Sequence, residues 1–88
     1  MTKIQKIINV LNSRKGETTQ VSFLDEDGEE TRKQFKVVDV KEVNGNIVIR
    51  NLPKQHTVIK TYTLESSLIP DMKLYKDAEY WSTEEISL

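Results

Sequence analysis

Apolar residues near the start of the chain follow helical spacing. Four of them occur at i, i+3, i+4 and i+7 and so share one helical face: Ile4, Ile7, Ile8 and Leu11. Thr2 and Gln5 have the spacing of a weak capping box, and Gly16 is a stop signal. The pattern predicts an amphipathic helix over residues 3–14, and a helix this short needs a partner surface to be stable.

After this helix the apolar period shortens to two, which is typical of β-strands. The alternation predicts five strands, at residues 19–24, 31–43, 47–49, 58–64 and 67–69. Asn44-Gly45 is a strong hairpin signal between the second and third of them. The apolar positions change face at Val37-Val38, which indicates a bulge or a strong bend. We therefore expect a mostly β (α+β) fold: the helix, then a five-stranded, strongly bent antiparallel sheet or a small SH3-like barrel.

The C-terminal segment has a different character, because its aromatic residues are scattered among acids. It holds Tyr75, Tyr80 and Trp81. One interpretation is a tail that covers an open barrel end or an edge strand. The other is a partner-binding arm, since Tyr and Trp are favoured at interface hot spots. The chain thus divides into a helix-plus-barrel unit, 1–70, and an aromatic acidic tail, 71–88.

Length and composition limit the function more than they define it. The chain has 88 residues, no cysteine and one histidine, which suits one small domain and excludes a disulfide scaffold or a cysteine-based zinc site. No apolar run is long enough for a transmembrane helix, and the N-terminus lacks a signal-peptide core, so we expect a cytoplasmic protein. No nucleophile–base pair or glycine-rich phosphate loop is present. We therefore expect no enzyme activity and no cofactor.

Charge is arranged in blocks, although the net charge is only −1. Residues 1–16 and 31–60 are basic, whereas residues 17–30 and 61–88 are acidic. Five candidate ligand-binding residues belong to the middle of the chain: Arg50, Lys54, His56, Lys60 and Tyr62. The lysines and arginine suit phosphates, and the Tyr62 ring suits base stacking unless it is buried in the core. His56 is either ordinary polar surface or a phosphate or base contact beside the lysines.

An acidic segment follows the first predicted strand. Asp25-Glu26-Asp27-Gly28 has the composition of a hairpin turn, with Gly28 free to adopt a positive φ. It does not match a calcium-binding EF-hand loop, because the glycine is fourth and position twelve is Lys36. We therefore predict no metal site, and we take Asp25, Glu26 and Asp27, with the aromatic residues of the tail, as a candidate protein-binding surface.

The order of elements resembles the Sm-like group of small barrels that includes the Hfq-type proteins. The resemblance spans about residues 4–70 and rests on the segments Ile7–Arg14, Val21–Leu24 with Asp27-Gly28, Val43–Asn51, and Val58–Thr61 through Pro70. It implies an RNA-binding module that assembles as a ring. The position that stacks a base after the second turn is Asn46 here, which adds Asn46 to the candidate ligand residues. The Lys-His pair near the pore falls at Lys60-Thr61, where only the lysine matches.

These observations leave more than one function open. The first hypothesis is a non-catalytic, oligomeric module that binds RNA, an oligonucleotide or a nucleotide, although a pI of about 5.8 is low for a dedicated nucleic-acid binder. The alternative is a protein that binds and inhibits a host protein through its acidic and aromatic surfaces. In composition the chain is similar to small accessory proteins of phages and mobile elements. A third hypothesis is an assembly subunit that associates through exposed strand edges.

Overall fold

The structure combines an N-terminal helix with one antiparallel sheet, as the mostly β prediction requires. A computed structural model describes residues 1–53, 55–76 and 84–88. Its elements are α1 (Lys3–Ser13), β1 (Thr18–Leu24), β2 (Glu30–Val43), β3 (Asn46–Asn51), β4 (Lys60–Leu64), a 3₁₀ helix (Ser66–Leu68), β5 (Lys73–Lys76) and β6 (Glu84–Ile86). The six strands lie in the order β4-β3-β2-β1-β5-β6.

Helix α1 begins at the predicted capping box. The Gln5 backbone N–H donates to Thr2 Oγ1 at 3.3 Å, and the Thr2 N–H donates to Gln5 Oε1 at 3.1 Å. These bonds satisfy N–H groups that a helix leaves without partners in its first turn. The apolar stripe packs on the sheet, with Ile7 and Leu11 fully buried. The predicted helix is confirmed and ends one residue earlier than expected.

Strand β2 bends where its apolar pattern changes face. Its pairing with β3 shifts register between Val37 and Asp39, which confirms the predicted bulge. Before the bulge β2 pairs with β1, over Glu30–Lys36, and from Val37 onward it pairs with β3. Beyond the end of β1, other groups bond to the free side of β2. The Asn12 side chain donates to the Val40 carbonyl at 3.1 Å and accepts from the Val40 N–H at 3.2 Å. The Gly16 N–H donates to the Val37 carbonyl at 3.1 Å.

The core lies between α1 and one face of the bent sheet, which we call the core-facing side. It is built from alternate residues of the strands and from the helix stripe; the largest fully buried members are Phe35, Ile7, Leu11, Ile47, Ile49, Met72 and Leu74. In the described part of the chain, every buried side-chain nitrogen or oxygen has a hydrogen-bond partner. No helix of the described segments is long and apolar enough to cross a membrane.

The predicted strand at 67–69 is wrong, because these residues belong to a helical turn. Backbone N–H groups of Leu68 and Ile69 donate to the carbonyls of Glu65 and Ser66, three residues back in each case. Ile69 is buried and anchors this turn to the core. The prediction for the fourth strand was also too long, since β4 begins only at Lys60.

The C-terminal prediction of a tail is not confirmed. Lys73–Lys76 form β5, which pairs with β1 over Thr19–Ser22, and Leu74 is fully buried. Glu84–Ile86 form β6 on the outer side of β5. Within the described residues β4 pairs with β3 alone and β6 with β5 alone, so the sheet is open rather than a closed barrel. Tyr80 and Trp81 lie outside the described residues.

Candidate functional site

An aromatic side chain on β4 lies on the core-facing side but stays partly exposed. Tyr62 is directly opposite Ile49, which is fully buried, and yet Tyr62 keeps 36% of its surface accessible. The Phe35 ring meets it edge-on, with ring centroids 5.3 Å apart and an interplanar angle of 73°. The Lys33 ammonium lies 5.2 Å from the Tyr62 centroid, within the range of a cation–π contact.

A second lysine extends this arrangement along β4. Lys60 is exposed and lies two residues before Tyr62, so both side chains project to the same face of the strand. Lys33 and Lys60 take part in none of the salt bridges formed among the described residues. We call Lys33, Phe35, Lys60 and Tyr62 the Tyr62 surface. It combines an accessible ring, a rigid aromatic support and two ammonium groups.

Two of the other candidate ligand residues project to the opposite face of the sheet. Arg50 is paired with Asp39 on β2: its Nε and Nη2 lie 2.7 and 2.5 Å from one carboxylate oxygen. The Arg50 guanidinium holds the pKa of Asp39 below its usual range through this hydrogen bond. The Asn46 side-chain oxygen accepts from the Ser66 N–H at 3.0 Å. Both residues hold elements together, away from the Tyr62 surface.

The loop between β3 and β4 contains the remaining two candidate ligand residues. His56 is exposed, and its backbone N–H donates to the Pro53 carbonyl at 3.1 Å. Lys54 lies outside the described residues. Val58 and Ile59, which lead into β4, are 67% and 44% exposed. The structure therefore brings Lys60 and Tyr62 together and does not join them to Arg50 or Asn46.

The acidic hairpin turn is held by one of its own carboxylates. Asp25 Oδ1 accepts from the backbone N–H groups of Asp27 and Glu29, both at 2.9 Å. Gly28 has a φ of 79°, in the left-handed region that glycine adopts without strain. Glu26 and Asp27 remain exposed. Asp25 is thus used within the turn, and its neighbours form the accessible acidic surface.

Tyr75, the candidate partner residue on β5, is covered from one side by an arginine. Arg32 lies 4.1 Å above the Tyr75 ring centroid and also pairs with Glu30. This hydrogen bond from Arg32 holds the pKa of Glu30 below its usual range. Tyr75 is opposite Gln20 on β1, roughly 17 Å along the strand from Asp25 at the usual rise per residue. The acidic turn and Tyr75 are therefore separate surfaces.

Lys33 and Phe35 were not among the candidate ligand residues predicted from the sequence, although Lys33 belongs to the basic block at residues 31–60. Both lie on β2, whereas Tyr62 is on β4, and β3 separates these strands in the sheet. Both nevertheless contact Tyr62, and a contact between strands that are not neighbours has no local signature in the sequence. The alternation of Lys33, Phe35 and Val37 on one face was the available signal, because a lysine continuing an apolar row marks the rim of a core.

No protein-family model, curated protein sequence or solved structure matches this chain. The resemblance to Sm-like barrels therefore stays a prediction, and the function has to be argued from the surfaces themselves. In the described segments, no group of three or more His, Asp or Glu residues is arranged to hold a metal ion.

Proposed function

We propose that the protein is a non-catalytic module that binds a single-stranded oligonucleotide or a nucleotide, with a base stacked on Tyr62. The observation that carries the proposal is the partly exposed Tyr62 ring with Lys33 over it and Lys60 on the same face of β4, neither lysine forming a salt bridge within the described residues. Phe35 meets the ring edge-on and fixes its orientation. An oriented ring loses little conformational freedom when a ligand stacks on it.

The chemistry of the Tyr62 surface matches a base with adjoining phosphates. Base–aromatic stacking contributes about 1–3 kcal/mol per base and works with every base. The two lysines supply point charges for the phosphates of a stacked nucleotide, with Lys33 over the ring and Lys60 two residues before Tyr62 on the same face of β4. With only two such contacts, the affinity is expected to fall with salt at a logarithmic slope of about −1.4 for a single strand.

The alternative of a protein-binding inhibitor receives less support from the geometry. The residues assigned to it do not form one surface: Asp25 is engaged in its own turn, and Tyr75 is opposite Gln20, far along β1 from that turn. The exposed carboxylates of Glu26 and Asp27 remain available to a basic partner. The Tyr62 surface, by contrast, is assembled from residues of two strands that contact one another directly.

Fluorescence anisotropy with a labelled single-stranded 12-mer tests the proposal at low salt. Tyr62→Ala removes the stacking ring and is expected to weaken binding about 5- to 150-fold, the equivalent of 1–3 kcal/mol. Tyr62→Phe keeps the ring and should bind as the wild type does. Tyr75→Ala is the matched control, because it removes an aromatic ring from the opposite face of the sheet.

The salt dependence supplies an independent measurement. Lys33→Gln combined with Lys60→Gln should flatten the slope of affinity against salt to near zero while circular dichroism stays unchanged. Absence of binding by the wild type at low salt would contradict the proposal. So would equal losses in the Tyr62→Ala and Tyr75→Ala variants, because the ring on β4 would then have no special role.

A further inference from the structure

Strand β4 forms one edge of the sheet and offers backbone groups on its outer side. Among the described residues it pairs only with β3. An unpaired edge is a template for another strand, and proteins usually protect such edges with proline, bulges or several charges. β4 has the sequence Lys60-Thr61-Tyr62-Thr63-Leu64, which contains no proline and one charge, and its pairing with β3 is regular.

The hydrogen bonds of Asn12 identify which β4 groups point outward. Asn12 binds the N–H and carbonyl of Val40, so these groups point away from β3. Val40 and its opposite residue Ile49 therefore form a non-hydrogen-bonded pair, and the Ile49 backbone groups point toward β4. Ile49 is opposite Tyr62 on β4. Because the direction alternates along a strand, Tyr62 bonds to β3, and its two neighbours point outward.

The outward groups are the N–H and carbonyl of Thr61 and of Thr63. They are symmetric about Tyr62, so the edge is complementary to itself in an antiparallel arrangement. We propose that β4 pairs with β4 of a second copy of this chain, about a twofold axis at Tyr62. Thr61 then exchanges two hydrogen bonds with the partner's Thr63, and Thr63 does the same with the partner's Thr61.

The side chains agree with this register. Lys60 is placed opposite the partner's Leu64, so no like charges face each other, and Tyr62 is placed opposite the partner's Tyr62. Ile59, 44% exposed in the single chain, would lie opposite the partner's Glu65 and lose accessible surface. The other described edge, β6, is a weaker partner, because it has three residues of which two are glutamates.

Pairing also joins two Tyr62 surfaces across the axis. Insofar as the proposed function holds, a single-stranded ligand would contact two Tyr62 rings and four lysines, instead of one ring and two lysines. The dimer itself does not depend on that function, since it is argued from the backbone groups and side-chain register of β4. Its test therefore uses no nucleic acid, and failure of one proposal leaves the other intact.

Sedimentation equilibrium from about 1 µM to about 1 mM tests the proposal, because the short interface predicts a weak dimer. The wild type should change with concentration from 10.2 kDa to twice that mass. The double variant Thr61→Lys/Thr63→Lys places lysine opposite lysine twice and should stay monomeric. The matched variant Thr61→Lys/Thr63→Glu differs at one position and places lysine opposite glutamate twice, so it should dimerise.

Amide hydrogen exchange of the wild type gives a second measurement that needs no variant. The Thr61 and Thr63 amides should exchange more slowly as the concentration rises, whereas the Tyr62 amide, bonded to β3, should be protected throughout. The proposal is overturned by a wild type that stays monomeric, by a species larger than a dimer, by dimerisation of the two-lysine variant, or by concentration-independent exchange at Thr61 and Thr63.

Discussion

The Asn12 side chain bonds to Val40 of β2 where a neighbouring strand would otherwise do so, and replacing it should lower the free energy of unfolding. Its amide forms two hydrogen bonds, to the N–H and the carbonyl of Val40, at a partly buried place where β1 no longer covers β2. Asn12→Ala leaves both backbone groups without their partner. At about 0.5–1.5 kcal/mol each, the two bonds contribute about 1–3 kcal/mol to the free energy of unfolding.

Helix propensity acts in the opposite direction and has to be subtracted. Alanine is better than asparagine inside a helix by about 0.5 kcal/mol, so the net loss expected for Asn12→Ala is about 0.5–2.5 kcal/mol. Asn9 provides the matched control on the same helix: it is exposed, and its amide contacts the Met1 sulfur, a weak acceptor. Asn9→Ala should therefore be neutral or slightly stabilising.

Urea titration followed by circular dichroism measures the free energy of unfolding of both variants, because a shift of the midpoint with an unchanged m-value reports a change in stability. Asn12→Asp sharpens the comparison, because it keeps the acceptor for the Val40 N–H but places a carboxylate oxygen against the Val40 carbonyl. It should be less stable than Asn12→Ala near neutral pH. If Asn12→Ala were as stable as Asn9→Ala, the side chain would not act as a substitute strand, and the reasoning would be refuted.

Three further substitutions test separate features. Asp39→Asn removes the partner of Arg50. Since the pKa of Asp39 is lowered in the folded state, the ion pair stabilises the protein fully above the ordinary aspartate pKa of about 4, and this stabilisation disappears as the pH falls through the lowered value. In thermal unfolding scans the variant should therefore lose less stability than the wild type between neutral and acidic pH. Gly45→Ala, at a φ of 82° and in ordinary contact with Ser66, should cost about 1–2 kcal/mol in urea titration. Thr2→Ala breaks the capping box and should lower the free energy of unfolding by about 1 kcal/mol.

Features with a local physical cause were predictable from the sequence. The capping box, the apolar stripe of α1 and the two left-handed residues of the turn at Asn44-Gly45 are each specified by residues close together in the chain. The bulge in β2 was predictable too, because a change of apolar face requires an extra residue on one strand. The 3₁₀ turn was not, since a short apolar run such as Leu68-Ile69 fits a strand or a helix equally well.

Strand pairing across long separations was beyond prediction. β5 is short and has lysine at both ends, so its periodicity is weak, and it becomes a strand by pairing with β1. The candidate ligand residues were predicted as one site but lie on two faces of the sheet, for a related reason. The register between β3 and β4 places Tyr62 opposite Ile49 and Thr61 opposite Arg50, which sends Tyr62 and Arg50 to opposite faces. The sequence of the loop between β3 and β4 does not specify which residues of the two strands pair.

The pairing of β1 with β5 also has a consequence for synthesis of the chain. Strand β1 is synthesised before its second neighbour β5, which follows about 50 residues later and so roughly 3–10 s later at ordinary translation rates. Until β5 has been added, the side of β1 that faces away from β2 has no partner strand. The nascent protein therefore carries an unpaired strand edge, which can pair with other chains until β5 occupies it.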